Sequence, residues 1–120
     1  MSRDRLAGIC TGLPEAEREI SGRHDVFRVR KRTFAYYLDD HRGNEGIAGV
    51  VFKMPAPEGL IAASPDRFYK PAYLHHRGWV GLRLDTGAVD WTEVTDFVTD
   101  SYLAVAPKRL ATLIEGQTPL

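Results

Sequence analysis

The chain holds a single cysteine, Cys10, which excludes an intramolecular disulfide, and no CxxC pair or His/Cys spacing offers a zinc site. Sitting on an apolar helical face, Cys10 reads as a small buried hydrophobe. Net charge is missing as well. Lys plus Arg number 16 and Asp plus Glu number 16, whereas a dedicated nucleic-acid binder commonly carries a basic excess. Any contact with a polyanion therefore requires charges segregated in space. Weak colloidal repulsion leaves a monomer or a homodimer open. No apolar run approaches the length of a membrane span, and the first residues lack an apolar signal core and a cleavage pattern. A cytoplasmic protein with no membrane association is expected.

Catalytic patterns are also lacking. Ser21, Ser64 and Ser101 have no nucleophile elbow around them, and Ser64 is explained as a helix cap. Gly43-Asn44-Glu45-Gly46 has neither the lysine nor the strand-to-helix setting of a phosphate loop. His75-His76, taken as part of a strand, would send its rings to opposite faces. Asp39, Asp40, His41 and Glu45 share a polar stretch that matches no calcium loop. No enzyme, cofactor or metal is expected.

What is present is a foldable core. With 120 residues, 43% of them hydrophobic, the chain suits one domain and is too short for two. Ser2 can cap a first helix carrying Leu6, Ile9 and Cys10 on one face and closed by Thr11-Gly12. Residues 15–22 are polar and suit an edge strand. Asp39 to Gly46 reads as a loop. Ile47 to Phe52 is a continuous apolar strand, suited to the sheet centre. Residues 58–63 form a short helix, Ser64-Pro65 a second helix start, residues 68–74 an irregular stretch and residues 78–84 another strand. Asp90 and Glu93 approximate a capping box, followed by Trp91, Val94, Val98, Tyr102 and Val105 at helical spacing. Ala106-Pro107 ends that helix, and a last one runs through Leu110, Leu113 and Ile114 to Gly116. The class is α+β: an antiparallel sheet with an N-terminal helix and C-terminal helices packed on it.

The clearest β signal is Val26-Phe27-Arg28-Val29-Arg30, then Lys31-Arg32, then Thr33 to Leu38, a hairpin. With Lys31-Arg32 as a two-residue turn, Val29 faces Phe34 and Phe27 faces Tyr36 on the core side. Arg28 and Arg30 then share the other face with Ala35 and Thr33. A longer, looser loop is the alternative, because tight hairpin turns need positive φ and favour Asn or Gly.

Arg23, Arg28, Arg30, Lys31 and Arg32 fall within ten positions, opposed only by Asp25. Arginine and lysine on one strand face and its tip can follow phosphates. Charged edges also guard strands against aggregation, so a purely solvated strand is the competing explanation. Lys70 and Arg77, with Lys108 and Arg109, would extend the patch if the fold brings them round. Tyr37, Tyr69, Tyr73 and Trp79 offer stacking surfaces, or core packing.

Blocks spread over nearly the whole chain carry a family resemblance. They are His24 to Val29 with Phe34-Ala35, Asp66-Arg67-Phe68-Tyr69-Lys70-Pro71-Ala72-Tyr73, Arg77-Gly78-Trp79-Val80-Gly81-Leu82-Arg83-Leu84-Asp85, Asp90-Trp91 with Glu93-Val94, and Ser101 to Leu110. In this order they resemble the MmcQ/YjbR family. The resemblance implies an antiparallel sheet with packed helices, a fold compared with type III secretion chaperones and with a double-wing DNA-binding motif. It implies no catalytic residues. Members often carry glycine at the hairpin turn, where this chain has Lys31-Arg32, so a wing tip here would be more basic.

The first functional expectation is a DNA-binding accessory or regulatory domain. Its interface would be Arg28, Arg30, Lys31, Arg32, Lys70 and Arg77, set on the phosphate backbone. A protein-interaction or chaperone-like module is the alternative, and a small-ligand-binding domain the third. A continuous positive stripe favours the first; acidic side chains interleaved with the cations favour the second.

Overall fold

The computed structural model describes residues 2–115. Helix α1 (Ser2–Thr11) leads into strands β1 (Ala16–Ser21), β2 (His24–Val29), β3 (Arg32–His41) and β4 (Asn44–Lys53). Helix α2 (Glu58–Ala63), strand β5 (Phe68–Tyr69), a 3-10 turn at His75–Arg77, strand β6 (Trp79–Arg83) and helices α3 (Trp91–Val105) and α4 (Lys108–Glu115) complete the order. All pairs in the six-stranded sheet are antiparallel, in the order β1-β2-β3-β4-β6-β5. The expected α+β architecture is therefore present. The helix stop assigned to Gly116 lies outside the described residues.

Period-two alternation sets the main core. In β2, Asp25, Phe27 and Val29 are buried while His24, Val26 and Arg28 lie on the other face. Val50 and Phe52 of β4 and Val80 and Leu82 of β6 join that buried face, which α3 covers with Val94, Val98, Tyr102 and Val105. Asp90 caps α3 by accepting from the Thr92 and Glu93 amides at 3.0 and 3.2 Å. The box is not reciprocal, because the Glu93 carboxylate turns to Arg67 instead. Tyr102 stands edge-on to Phe34, with centroids 5.3 Å apart, and its hydroxyl donates to the Pro14 carbonyl at 2.7 Å. Helix α1 adds Leu6, Ala7 and Cys10, and burial pushes the Cys10 thiol pKa well above its ordinary value.

The sheet has a second, smaller core on its opposite face. Leu38, Val51 and Trp79 are buried there against Tyr36, Tyr69 and Leu74. Two glycines make room for it. A Cβ on Gly81 would stand 2.3 Å from Tyr69 Cζ, and one on Gly49 would stand 2.8 Å from Tyr69 Oη. The Tyr69 ring thus lies across β4 and β6, where side chains would otherwise stand.

Several expectations are corrected. The hairpin turn is Arg30-Lys31, one residue earlier than expected, with φ of 50° and 69°, the pattern of a type I′ turn. Val29 pairs with Arg32 and Arg28 with Thr33, while Phe27 pairs with Ala35. Phe34 is the extra residue of a β-bulge, so Phe34 and Ala35 are both buried and Tyr36 moves to the opposite face. The bulge escaped notice because strict alternation also satisfies the apolar pattern. Residues 39–46 are no loop: the strands continue to His41 and Asn44 around Arg42-Gly43. Asp40 and Gly46 take left-handed φ there, and the Gly46 amide donates to Asp40 Oδ1 at 2.7 Å. Residues 64–67 make one turn into β5 rather than a second helix, the Arg67 and Phe68 amides both donating to the Ser64 carbonyl. His75 and His76 sit in the 3-10 turn, not a strand.

Candidate nucleic-acid interface

The hairpin cations do not form the continuous stripe that the sequence offered. Arg28, on the solvent side of β2, lies opposite Glu17 and forms an ion pair with Glu19, the diagonal neighbour on β1. Arg30 binds Glu15 in a bidentate pair at 2.6 and 3.1 Å. Glu15 also receives Arg109 at 3.7 Å. The Arg30 hydrogen bond holds the Glu15 carboxyl below its ordinary pKa, against a smaller desolvation effect. Edge strand β1 and the turn residue Glu15 just before it thus supply the carboxylates that interleave with the arginines. That pairing was legible in part: the acidic run Glu15, Glu17, Glu19 precedes the basic hairpin, and adjacent antiparallel strands bring such runs together.

Lys31 and Arg32 differ. Both are exposed, and neither has a carboxylate partner among the described residues. Arg77 shares that condition and lies at the same end of the sheet. It precedes Gly78, whose carbonyl accepts from the Met54 amide at 3.1 Å, just beyond the last β4–β6 pair, Lys53 with Trp79. Lys53 is the cation that sequence reasoning missed. A Cβ on Gly78 would stand 3.9 Å from Lys53 Cγ and Cε. Because β4 returns antiparallel to β3 after a two-residue turn, its last residue comes back to the start of β3. Lys31, Arg32, Lys53 and Arg77 therefore lie at the same end of the sheet, Arg32 and Lys53 on one cleft.

Lys70 stands elsewhere. Its carbonyl accepts from Asn44 Nδ2 at 3.2 Å, and Asn44 Oδ1 accepts from the Ala72 amide at 2.6 Å. This ties Lys70 to the β3–β4 turn, at the far end of β3, a ten-residue strand spanning about 30 Å. The aromatic candidates divide the same way. Tyr37 and Trp79 are buried, Tyr69 lies against glycines, and Tyr73 alone of these four is exposed. Tyr73 sits edge-on to His41 at the far end, 6.2 Å between centroids.

The hairpin-tip end has an opening in its sheet. The next β3–β4 pair after Ala35 and Phe52 would be Phe34 with Lys53, but that ladder bond is replaced. The fully buried Ser101 hydroxyl of α3 donates to the Phe34 carbonyl at 2.6 Å and accepts from the Lys53 amide at 3.0 Å. One side chain thus satisfies both backbone groups while holding the strands apart.

The far end is fastened by a charge. Asp25 is fully buried and receives Arg3 through Nε and an Nη, and Arg18 through an Nη, all at 2.9 Å. Burial would raise its carboxyl pKa, but the two guanidinium partners outweigh that cost and hold it below the ordinary value. Among the described residues no group of three or more His, Cys, Asp or Glu is placed to hold a metal ion. No helix among them is long and apolar enough to cross a membrane.

Comparison with known proteins accords with the architecture. A crystal structure of a Deinococcus radiodurans protein, whose domain is designated DUF419, superimposes with a TM-score of 0.71. The match covers 97% of this chain and 88% of that one at 22% identity, a likeness of fold alone. No curated protein matches the sequence at a significant level. The family model YjbR matches residues 11–104, the whole sheet together with nearly all of α3. The chain belongs to the YjbR family.

Proposed function

We propose that this is a non-enzymatic domain that contacts the phosphate backbone of nucleic acid with one end of its sheet, not with the face of its basic hairpin. The observation that supports this is that four cations at one end of the sheet, Lys31, Arg32, Lys53 and Arg77, have no carboxylate partner among the described residues, while Arg42 and Lys70 share that condition at the opposite end. Arg28 and Arg30 are already neutralised by Glu19 and Glu15, and releasing them would cost their existing pairs. Such a footprint supplies position and electrostatic attraction rather than base readout. Four neutralised phosphates give a log–log salt slope of about 3.6 on duplex DNA, a weak, salt-sensitive association. Fluorescence anisotropy of labelled DNA across a salt series tests it. Lys31→Ala and Lys53→Ala should each lower the slope by about one, while Arg28→Ala leaves it unchanged. Absence of binding at low salt would retire the proposal.

The carboxylates interleaved with Arg28 and Arg30 favour a protein-interaction role, which has a second observation as well. Among the described residues the outer edge of β1 has no strand partner, and Ile20 on it is 63% exposed. An open edge next to an apolar side chain can accept a further strand. Loss of a partner or of a self-associated species in the Ile20→Lys variant, measured by sedimentation, would support that role.

A further inference from the structure

Where Ser101 parts β3 from β4, the space between the strand ends and the C-terminal half of α3 is a cleft of about 480 Å³. It lies within the size range of small-ligand sites. Its composition is unusual for a gap between packed elements. Arg32 and Lys53 line one part, both without carboxylate partners among the described residues. Met54, Pro55 and Phe97 give an apolar wall. Phe97 is itself held by stacking on Phe52, 4.6 Å between centroids and 16° between planes, and by the edge of Phe68. A single carboxylate, Asp100, completes the lining, and it forms no ion pair with either cation.

We infer that this cleft takes one nucleotide unit: phosphate on Arg32 and Lys53, base against Phe97, Met54 and Pro55, and an exocyclic amino group of the base on Asp100. Each part of the lining has a matching part in that ligand. A simple fatty or aromatic carboxylate would match the cations and the wall but would offer no hydrogen-bond donor to Asp100. A duplex would match the cations alone, since its bases are stacked and paired. A cation, an aromatic or apolar wall and a carboxylate acceptor together suit an unpaired base that carries an amino group, as adenine, cytosine and guanine do and thymine does not. The unit can be a free nucleotide or one residue of a single strand. The inference deepens the phosphate-contacting reading above and shares Arg32 and Lys53 with it.

The test uses the whole chain, titrated by calorimetry with dAMP, adenosine and inorganic phosphate, and by anisotropy with short oligo-dA and oligo-dT. Ala104→Phe is the blocking variant. Ala104 lines the cleft from an exposed position on α3, so the larger side chain fills the space without entering the core. An unchanged melting temperature verifies its fold, and Arg32→Ala serves as a second variant that removes charge without adding bulk. The expected result is that dAMP binds, that adenosine and phosphate bind roughly tenfold or more weakly, and that both variants lose dAMP. Oligo-dA should exceed oligo-dT, with Ala104→Phe erasing the difference. Binding of dAMP sensitive to Ala104→Phe, without oligonucleotide binding, makes the free nucleotide the source; the cleft assignment then stands and the nucleic-acid reading falls. Oligonucleotide binding that Ala104→Phe leaves unaltered, with no uptake of dAMP, overturns the cleft assignment and leaves the backbone reading in place.

Discussion

The two ends of strand β3 solve the same problem in opposite ways. At the far end, the tight turn to β4 places Gly43 at φ 91°, Gly46 takes 81°, and Arg23 is shared between Asp39 and Asp40. Beneath it, Asp25 locks α1 and β1 to β2. At the near end, Arg30 and Lys31 occupy left-handed φ with full side chains, Lys31 and Arg32 have no carboxylate partners among the described residues, and Ser101 holds the sheet open. Glycine is the residue that adopts positive φ at least cost, and a non-glycine residue there is strained by roughly 1 kcal/mol or more. The far end has one left-handed residue other than glycine in its strands, Asp40, held by its bond to the Gly46 amide; the near end has two in succession and a serine in place of a ladder bond. Departures that cluster in this way mark the part of a fold where something besides stability is being served.

The largest effect is expected from breaking the far end. Asp25→Ala leaves two guanidinium groups without their buried partner and should cost about 3–5 kcal/mol in urea unfolding. A variant as stable as the parent would mean the far end is not fastened by charge. The same group sets an acid limit. Its folded pKa lies below its unfolded value of about 3.9. Its stabilisation is therefore complete above that unfolded value and is lost as pH falls through the folded one. Unfolding followed from neutral pH to below about pH 4 should show an acid decline that is smaller in Asp25→Asn, where only groups such as Glu15 and Asp85 still contribute.

Next in size is Ser101→Ala, at the near end. It leaves the Phe34 carbonyl and the Lys53 amide either unsatisfied or rejoined directly, at a cost of about 1–3 kcal/mol. Amide hydrogen exchange at Lys53 distinguishes the two results. Faster exchange fits orphaned groups, and slower exchange would show that the strands close and that Ser101 alone keeps the cleft open.

A smaller effect, of opposite sign, should follow from replacing Arg30-Lys31 by Asn-Gly. Relief of left-handed strain should stabilise the hairpin by about 1 kcal/mol in thermal or urea unfolding. That gain would establish that the present turn is kept despite its cost. No gain would remove the turn from the contrast between the ends. The smallest effect belongs to Arg28→Ala. Its pair with Glu19 is solvent-exposed, and the change should stay within about 0.5 kcal/mol. A larger loss would mean that the edge of the sheet depends on its surface pairs.

The elements were legible because their signals are local. The apolar run of residues 47–52, the Asp90 cap and the spacing Val94, Val98, Tyr102 and Val105 specify a strand and a helix with little help from the rest of the chain. The hairpin was legible as a hairpin but not in its register. A bulge at Phe34 adds one residue without breaking the apolar pattern, and only pairing with β2 and the Ser101 bridge places it. The segment 39–46 was unreadable for a related reason. Its Asp, Asn and Gly content serves equally in a loop or in strands that absorb left-handed residues.

Composition and periodicity thus sufficed for the class, the buried faces of β2 and α3 and the absence of net charge, since each depends on residues near one another in the chain or on their count. Which cations remain available depended on partners far away. Arg28 and Arg30 were assigned to a free basic face until β1 brought Glu19 and Glu15 beside them, and Lys70 belonged with them until Asn44 held it at the opposite end. Lys53 drew no attention until β4 returned it to the hairpin tip. A charge is free or paired according to what stands within a few ångströms in space, because Coulomb energy falls with distance and not with sequence separation. Strand order, turn length and one bulge set those distances.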